Sequence, residues 1–435
     1  MSACKNQANI LAKLKIEALN AMQVEARNAI SNNPNVVLLS PTGSGKTLAV
    51  LLPIIQSLDP KIDEIQTLIL VPSRELAIQI EQVLRDMGTG FKVNAIYGGR
   101  SGNKDKEDLK HRPAILIGTP GRIADRIRRK SFALDHITTL VLDEFDKSLE
   151  VGFEEEMREI MRALPNLRQR ILTSATQGVD VPSFVGLQSP TVLDFLQDTT
   201  SKLKIQRILS PDKDKRETLV QALSHIGHQP GIIFCNFKET IERVSAHLEQ
   251  NDIPHGCFFG GMEQTDRERT LIKFRNGTHQ LIIATDLAAR GLDIPEIKFI
   301  LHYQLPPREE EFIHRNGRTA RMNAEGTAYL LVWENDPLPP YITAKQVLKL
   351  KPAERLKPSP WRTLFISGGR KDKISKGDIA GIFMKQAGLT KDELGIIEIK
   401  QDCAFVAVKH SKVQSVIQAL DNTRMKTKKV RVSEI

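Results

Sequence analysis

Two series of short, unbroken apolar runs set the architecture available to this chain. The first comprises residues 36–39, 67–71, 114–117, 140–142 and 171–173; the second comprises 231–234, 281–284, 299–302 and 328–332. Helical stretches such as 75–87 and 240–250 lie between them. Continuous apolar strands joined by helical crossovers are covered on both faces, so each series predicts a doubly wound parallel sheet. A length of 435 residues leaves room for about three domains of ordinary size. The polar stretch 197–204 is the expected join, giving one α/β domain over 1–200 and a second over 201–340.

The stretch 335–360 carries Pro337, Pro339, Pro340, Pro352, Pro358 and Pro360 among lysines, and 341–360 is expected as a semi-extended linker. Beyond it, 363–367, 378–387, 396–400, 404–408, 413–420 and 429–432 read as β-α-β-β-α-β, a small split unit over 361–435. Charge separates this tail from the rest. Residues 341–435 hold 20 Lys+Arg and 9 Asp+Glu, whereas 1–340 hold 42 and 43. The whole excess of +10 therefore resides in the C-terminal fifth, which is expected to attract a polyanion or to form a solvated basic face.

Several classes are excluded. With 40% hydrophobic and 26% charged residues the chain buries real cores and is not a disordered tail. No apolar run approaches the ~18–20 residues that cross a bilayer, so no membrane partner is expected. The first 15 residues lack the apolar core and small-residue cleavage site of a secretory signal. Cys4, Cys235, Cys257 and Cys403 are too far apart for a zinc knuckle or a redox pair. A reducing, cytoplasmic compartment is the expectation.

Residues 40–47 read Ser-Pro-Thr-Gly-Ser-Gly-Lys-Thr between an apolar strand and a helix. Thr42, Gly43, Ser44 and Gly45 let the backbone wrap a phosphate with its N–H groups. Lys46 can reach the β- and γ-phosphates, and Thr47 can ligate Mg2+. Ser40 stands where the usual pattern has its first glycine. A second motif, Leu-Val-Leu-Asp-Glu-Phe-Asp at 140–146, ends a buried strand in adjacent acids. Asp143 is expected to hold Mg2+ through water, and Glu144 to orient or deprotonate the attacking water. Together the two motifs establish a P-loop ATPase using ATP and Mg2+. Residues 314–321 add three arginines, Arg315, Arg318 and Arg321. They read either as a basic face pairing with Glu309–Glu311 or as donors of the positive charge that phosphoryl transfer needs; the second reading is preferred.

In this order the motifs resemble the DEAD-box ATP-dependent RNA helicases of superfamily 2. The similarity extends over 72–77 (Pro-Ser-Arg-Glu-Leu-Ala), Gly98-Gly99, 119–122 (Thr-Pro-Gly-Arg), 143–146 at the DEAD position and Ser174-Ala175-Thr176. It continues with Phe234 and Asn236, Gln264 and Arg267, 284–293 and 314–321. The resemblance implies two tandem RecA-like domains. It implies RNA contacts by Arg74, Gly99, Thr119 and Arg122 in the first, and by Asn236, Arg267, Thr285 and Gly291 in the second. It places Asp293 on the ATP ribose, Arg318 and Arg321 on the γ-phosphate, and Gln23 on adenine. Asp146, Ser174, Thr176 and His314 would couple the ATP state to unwinding. The chain departs from the family at Phe145, which replaces alanine, at Asn316 and Ala320, which replace Ile and Gly, and around Gln23, whose upstream aromatic would precede residue 1.

Residues 361–435 resemble the DbpA-type RNA-binding domain, an RRM-like βαββαβ fold, through 364–373, 377–379, 404–408 and 428–432. The two central strands offer chiefly Phe365 and Phe405 for stacking, so recognition is expected through basic loops instead. Arg370, Lys371, Lys373, Arg424, Lys426, Lys428 and Lys429 are the candidates. The expected protein is a monomeric, RNA-stimulated ATPase that separates short RNA duplexes locally, anchored to structured RNA, with ribosomal RNA as the family precedent. The alternatives are a DNA helicase or translocase, a non-enzymatic ATP-binding RNA chaperone, and a plain P-loop kinase.

Overall fold

The computed structural model describes residues 6–435 except 42, 100–101, 177–180, 197–202, 287–296, 320–324, 352–355 and 357. The chain divides into two compact units near residue 201. The first holds seven strands: β1 (Asn35–Leu39), β2 (Thr67–Leu70), β3 (Val93–Ile96), β4 (Ile115–Gly118), β5 (Thr139–Leu142), β6 (Gln169–Ser174) and β7 (Thr191–Asp194). They form one sheet in the order β3-β4-β2-β5-β6-β1-β7, parallel throughout. All four residues of β2, β4 and β5 are buried. Alternate side chains feed opposite cores: Ile69 joins the cluster of Val36 and Leu38, whereas Leu68 and Leu70 join that of Leu140 and Leu142. Each such fully buried aliphatic side chain contributes about 1.5–3 kcal/mol. β1 and β5 both flank β6, which brings the carboxyl ends of all three together, where doubly wound sheets bind ligands.

The second unit contains β8 (Leu203–Ser210), β9 (Gly231–Phe234), β10 (Gly256–Phe258), β11 (Leu281–Ala284), β12 (Phe299–His302), β13 (Gly326–Trp333) and β14 (Gln346–Val347). Their order is β10-β11-β9-β12-β13-β8-β14, again all parallel. The last strand falls inside the stretch expected as a linker. Leu348 N donates to Arg207 O at 2.8 Å, Ile342 and Ala344 are buried, and Leu348, Leu350 and Leu356 pack on the second core. The described residues of 341–360 thus lie along the lobe, not free of it, because Ile342, Ala344, Leu348, Leu350 and Leu356 find an apolar surface to cover.

The same unit ends in β15 (Trp361–Ile366), β16 (Leu394–Ile399), β17 (Ala404–Lys409), a hairpin of β18 (Arg424–Met425) and β19 (Lys428–Lys429), and β20 (Val432–Glu434). The four longer strands form an antiparallel sheet, β16-β17-β15-β20, and helices Lys376–Lys385 and Val413–Leu420 supply the βαββαβ pattern. The final strand begins three residues later than the sequence suggested, since the basic hairpin occupies 424–429. Glu398, Phe405, Phe365 and Ser433 are register partners across the sheet and share one face. Thr363 and Ala407 lie on that face too. This face is docked on the second lobe. Arg275 Nη2 reaches Glu398 Oε1 at 2.8 Å, and Thr278 Oγ1 shares a hydrogen bond of 2.8 Å with Thr363 Oγ1.

Candidate functional site

The phosphate loop follows β1. Gly43 and Gly45 take φ values of 83° and 90°, a region that side chains disfavour. At Gly45 a Cβ would lie 2.4 Å from Gln23 Nε2, so a larger residue would displace the Gln23 amide in addition to straining the backbone. Helix Lys46–Ser57 starts immediately after, and its N-terminus carries no side-chain cap. Backbone N–H groups are therefore available to an anion at the loop. Lys46 Nζ donates to Ser40 O and, at 2.9 Å, to Pro41 O. Thr47 is the second residue of the helix. The departure at Ser40 has a structural reason: its buried hydroxyl donates to Ser44 Oγ at 2.7 Å, and Ser44 Oγ donates to Pro41 O at 2.8 Å. These bonds clamp the loop from inside.

Gln23 also acts on the loop. Asn20 and Gln23 form a reciprocal capping box at the start of helix Ala21–Asn32. Asn20 Nδ2 then donates to Ser44 O at 3.1 Å and Gln23 Nε2 to Gly45 O at 3.3 Å. The Asn-x-x-Gln spacing was visible in the sequence, although its role as a loop support was not read from it.

The acids stand at the carboxyl end of β5, beside β6. Thr173 Oγ1 donates to Asp143 Oδ1 and accepts from Glu144 N at 3.1 Å. Burial pushes the Asp143 carboxyl upward, opposed by the bond from Thr173 and by the positive charge of Lys46. Glu144 has φ 48°, a left-handed conformation that costs a non-glycine residue roughly 1–2 kcal/mol. Phe145 directly behind it is 1% exposed and belongs to the core with Leu142, Met157 and Leu172. The aromatic ring thus replaces core volume on the far side of the acid turn, and Asp143 and Glu144 keep their place. Asp146 Oδ2 accepts from Thr176 Oγ1 at 2.9 Å. Thr176 N donates to Ser174 Oγ at 3.1 Å. A chain of hydrogen bonds therefore joins the acid turn to the end of β6.

Other residues of this lobe pair as follows. The Arg74 guanidinium lies against Gly99, where φ is 79° and a Cβ would sit 2.4 Å from Arg74 Nη1. Thr119 is the N-cap of helix Pro120–Arg128. Arg122 binds the fully buried Asp105 at 2.6 Å, and Arg126 approaches the same carboxylate at 3.3 Å. Asp105 carried no recognisable signal in the sequence. Thr42 lies outside the described residues.

Among the described residues of the second lobe Arg315 is the largest fully buried side chain. Its guanidinium donates to both oxygens of Asp286, to Gln304 O and to Asn236 Oδ1 at 2.5–2.7 Å. The alternative reading of this segment, a basic face pairing with Glu309–Glu311, does not hold for Arg315, whose carboxylate partner is Asp286. Asn236 is held in turn by Gln304 Oε1 and Leu305 O, at 2.9 and 3.0 Å. Both ends of its amide are thus engaged inside the lobe. Asn316, the departure from the family isoleucine, bonds buried His302 at 3.0 Å. Burial and the Arg315 charge bring that histidine down to about 3. His314 and Arg318 are buried at the end of the same segment, 7% and 6% exposed. Arg267 stacks 4.4 Å from the Phe258 ring centroid, and Thr285 N donates to Phe258 O at 3.3 Å. Gly291, Asp293 and Arg321 lie outside the described residues.

On the C-terminal module, Arg370, Lys371 and Lys373 are exposed. Lys428 Nζ binds Asp372 at 3.0 Å and Lys426 Nζ binds Asp378 at 2.7 Å. The hairpin is thereby laid beside the 370–373 turn, and the basic candidates form one surface. Phe365 and Phe405 meet edge to face at 5.7 Å on the side covered by the second lobe.

Two tandem parallel-sheet lobes, one bearing a phosphate loop with paired acids and the other an arginine segment, define a P-loop nucleoside triphosphatase. The chain matches the DEAD/DEAH box helicase family over residues 20–183, the helicase conserved C-terminal domain over 214–323 and the DbpA RNA binding domain over 363–434. It is 31% identical over 437 residues to ATP-dependent RNA helicase DbpA of Bacillus subtilis (strain 168), covering 92% of this chain and 91% of that one. The corresponding protein of Escherichia coli (strain K12) is 30% identical over 442 residues, 98% and 96% of the two chains. A structure of S. cerevisiae Dbp5 bound to RNA and ADP BeF3 matches with a TM-score of 0.67 at 26% identity, over 75% of this chain and 86% of that one. The chain belongs to the DEAD-box ATP-dependent RNA helicases, and to their DbpA type, with an RNA-binding C-terminal domain. Among the described residues no helix is long and apolar enough to cross a membrane.

Proposed function

We propose that this helicase is an RNA-stimulated ATPase that separates short RNA duplexes locally while its C-terminal module holds structured RNA. The observation that carries the reading is the hydrogen-bonded chain from the acid turn to β6, Asp146–Thr176–Ser174. Beside it stands Asp143, within the field of Lys46. Lys46 and the loop N–H groups bind the β- and γ-phosphates, Gln23 faces adenine, and Asp293 holds the ribose. Oxygen donors suit Mg2+, and Thr47, second in the helix, with the buried Asp143 carboxylate near Lys46 would hold it, Asp143 through water. The metal would neutralise phosphate charge. Glu144 orients the water that attacks the γ-phosphorus and takes its proton, and the bond to the ADP oxygen breaks. Arg318 and Arg321, from the second lobe, stabilise the charge that develops.

RNA lies along Arg74, Gly99, Thr119 and Arg122 on one lobe and along Arg267, Thr285 and Gly291 on the other. Asn236 serves there as an internal support. These groups suit backbone contact, so the core is indifferent to base sequence. His314 and Ser174 transmit the state of the ATP site. Arg370, Lys371 and Lys373, with the neighbouring hairpin, take phosphate-rich RNA, ribosomal RNA being the first candidate, in the cytoplasm and from a monomer. Glu144→Gln tests the reading. Turnover at saturating RNA should fall by about 10^2–10^4-fold with RNA binding retained. Unchanged turnover would overturn it, and equal stimulation by single-stranded DNA would indicate the DNA enzyme instead.

A further inference from the structure

Phe237 is the most exposed of the large hydrophobic residues described, at 61%, and the sole aromatic among the exposed ones. Its place in the fold gives that exposure meaning. It follows β9, on the carboxyl side of a parallel sheet, where doubly wound folds bind ligands. The turn after β10 lies beside it: Lys238 Nζ sits 5.5 Å from the centroid of Phe259. Arg267 packs on Phe258 of the same strand. The turn after β11 begins with Thr285, tied to Phe258 O. The carboxyl ends of three strands thus gather a ring and a threonine, with two cations, Lys238 and Arg267, supplied by the helices that follow β9 and β10.

The turn that presents Phe237 is braced by hydrogen bonds. Asn236 N donates to Gln304 Oε1, Asn236 Nδ2 donates to Leu305 O, and Arg315 donates to Asn236 Oδ1. Phe237 is also the N-cap of helix Lys238–Gln250, with extended backbone. The polar residue of the turn points inward, and the apolar one is held out to solvent. An aromatic face beside cations is the surface on which single-stranded nucleic acid stacks its bases, a contact insensitive to which base is present.

We propose that Phe237 stacks on a nucleobase of the bound RNA strand, adding a ring contact to the backbone contacts of this lobe. This rests on the reading that RNA runs past Arg267 and Thr285. Removal of the ring should raise the RNA concentration that half-saturates the ATPase on the order of tenfold, within the range of one base–aromatic stack.

The test uses the full chain, single-stranded oligoribonucleotides, and copies of them with one abasic residue moved along the strand. Phe237→Ala should melt with the wild-type protein and bind RNA on the order of tenfold more weakly, whereas Phe237→Trp should retain the affinity. One abasic position should weaken the wild-type protein similarly and leave Phe237→Ala unaffected. RNA should also quench the fluorescence of the tryptophan introduced in Phe237→Trp. Wild-type affinity in Phe237→Ala, or equal abasic losses in both proteins, would overturn the proposal. If RNA fails to stimulate the wild-type ATPase at all, the RNA path is wrong. In that event a fluorescence of Phe237→Trp unmoved by RNA also rejects the stack.

Discussion

Arg275 closes helix Gln264–Arg275 and grips Glu398 of β16 with three hydrogen bonds of 2.8–3.1 Å. Lys400 approaches the same carboxylate at 3.2 Å. Around this pair Asn276 and Thr278 bond Thr363, and Ser359 donates to Gly277 O. The sheet face on which ordinary RRMs stack bases is therefore occupied by the second lobe. The proposed RNA contact of the module therefore falls on other surfaces, and Arg370, Lys371, Lys373, Arg424, Lys426 and Lys429 are exposed there.

Charge reversal at this contact should release the module. Glu398→Lys removes bonds worth about 1.5–3 kcal/mol as a charged pair and adds repulsion from Arg275. Faster proteolysis within 341–360 and a larger scattering radius are the expected readouts. The pH dependence has a definite sign. Burial tends to raise the Glu398 pKa from its ordinary 4.5, but Arg275 and Lys400 outweigh it and the value is lowered. The pair's contribution is thus present above pH 4.5 and lost as pH falls through the depressed value. Docking should loosen on acidification below that point, and Glu398→Gln should abolish this slope.

Phe145→Ala would restore the residue usual in the family and should nonetheless damage this chain. The ring is 1% exposed within a core of aliphatic side chains, and truncation of such a phenylalanine costs about 3–5 kcal/mol. A large fall in the melting temperature of the first lobe is expected. Phe145→Leu should fall between the two. Thermal unfolding of the three proteins at one concentration settles the order.

Arg315→Met should unfold the second lobe more readily. Breaking a buried ion pair by removing one partner costs about 3–5 kcal/mol, and Arg315 also ties Asn236 and Gln304 to the lobe. Asp286, whose side chain is 20% exposed, can be solvated when left alone, so the loss should sit at the lower end of that range. Asp286→Asn, which keeps a hydrogen bond, should be milder. Denaturant unfolding followed by Trp333, in the adjoining β13, gives the comparison.

The fold was legible wherever strands are buried on both faces. Residues 67–70, 139–142, 231–234, 281–284 and 299–302 are wholly buried, and unbroken apolar runs mark them. β7 and β8 escaped notice because they are half exposed and mix polar with apolar residues. β3 contains Asn94, which is buried only because it bonds Asp108 O at 2.7 Å. β14 lies among prolines and is two residues long. At the site, the loop and acids are local motifs and were readable as such. The partners that hold them are not. Thr173 lies 30 residues from Asp143, and Asp286 lies 29 from Arg315; pairings of that kind are decided by strand order, which no local pattern encodes. The docked sheet face was equally hidden, because Glu398 and Thr363 look like ordinary polar residues of a solvated strand until Arg275 and Thr278 are placed against them.

Thr176 Oγ1 donates to Asp146 at 2.9 Å, and Ser174 Oγ accepts from Thr176 N at 3.1 Å. Asp143 and the Glu144 N–H are bonded by Thr173, a different side chain of the same strand. Thr176→Val keeps the shape of the side chain and deletes its hydroxyl. It should leave the acids in place, so RNA-stimulated ATP turnover should stay within a few-fold of the wild type. The link between the acid turn and the end of β6 is cut, so unwinding per ATP hydrolysed should fall on the order of tenfold, the equivalent of one hydrogen bond to a charged group. Thr173→Val makes the converse case. It removes the bond that holds the Asp143 carboxylate against burial, and it should lower turnover itself and unwinding in proportion. Measuring ATPase and duplex separation side by side distinguishes the two. If Thr176→Val loses both activities equally, the chain through Asp146 serves only to hold the turn together.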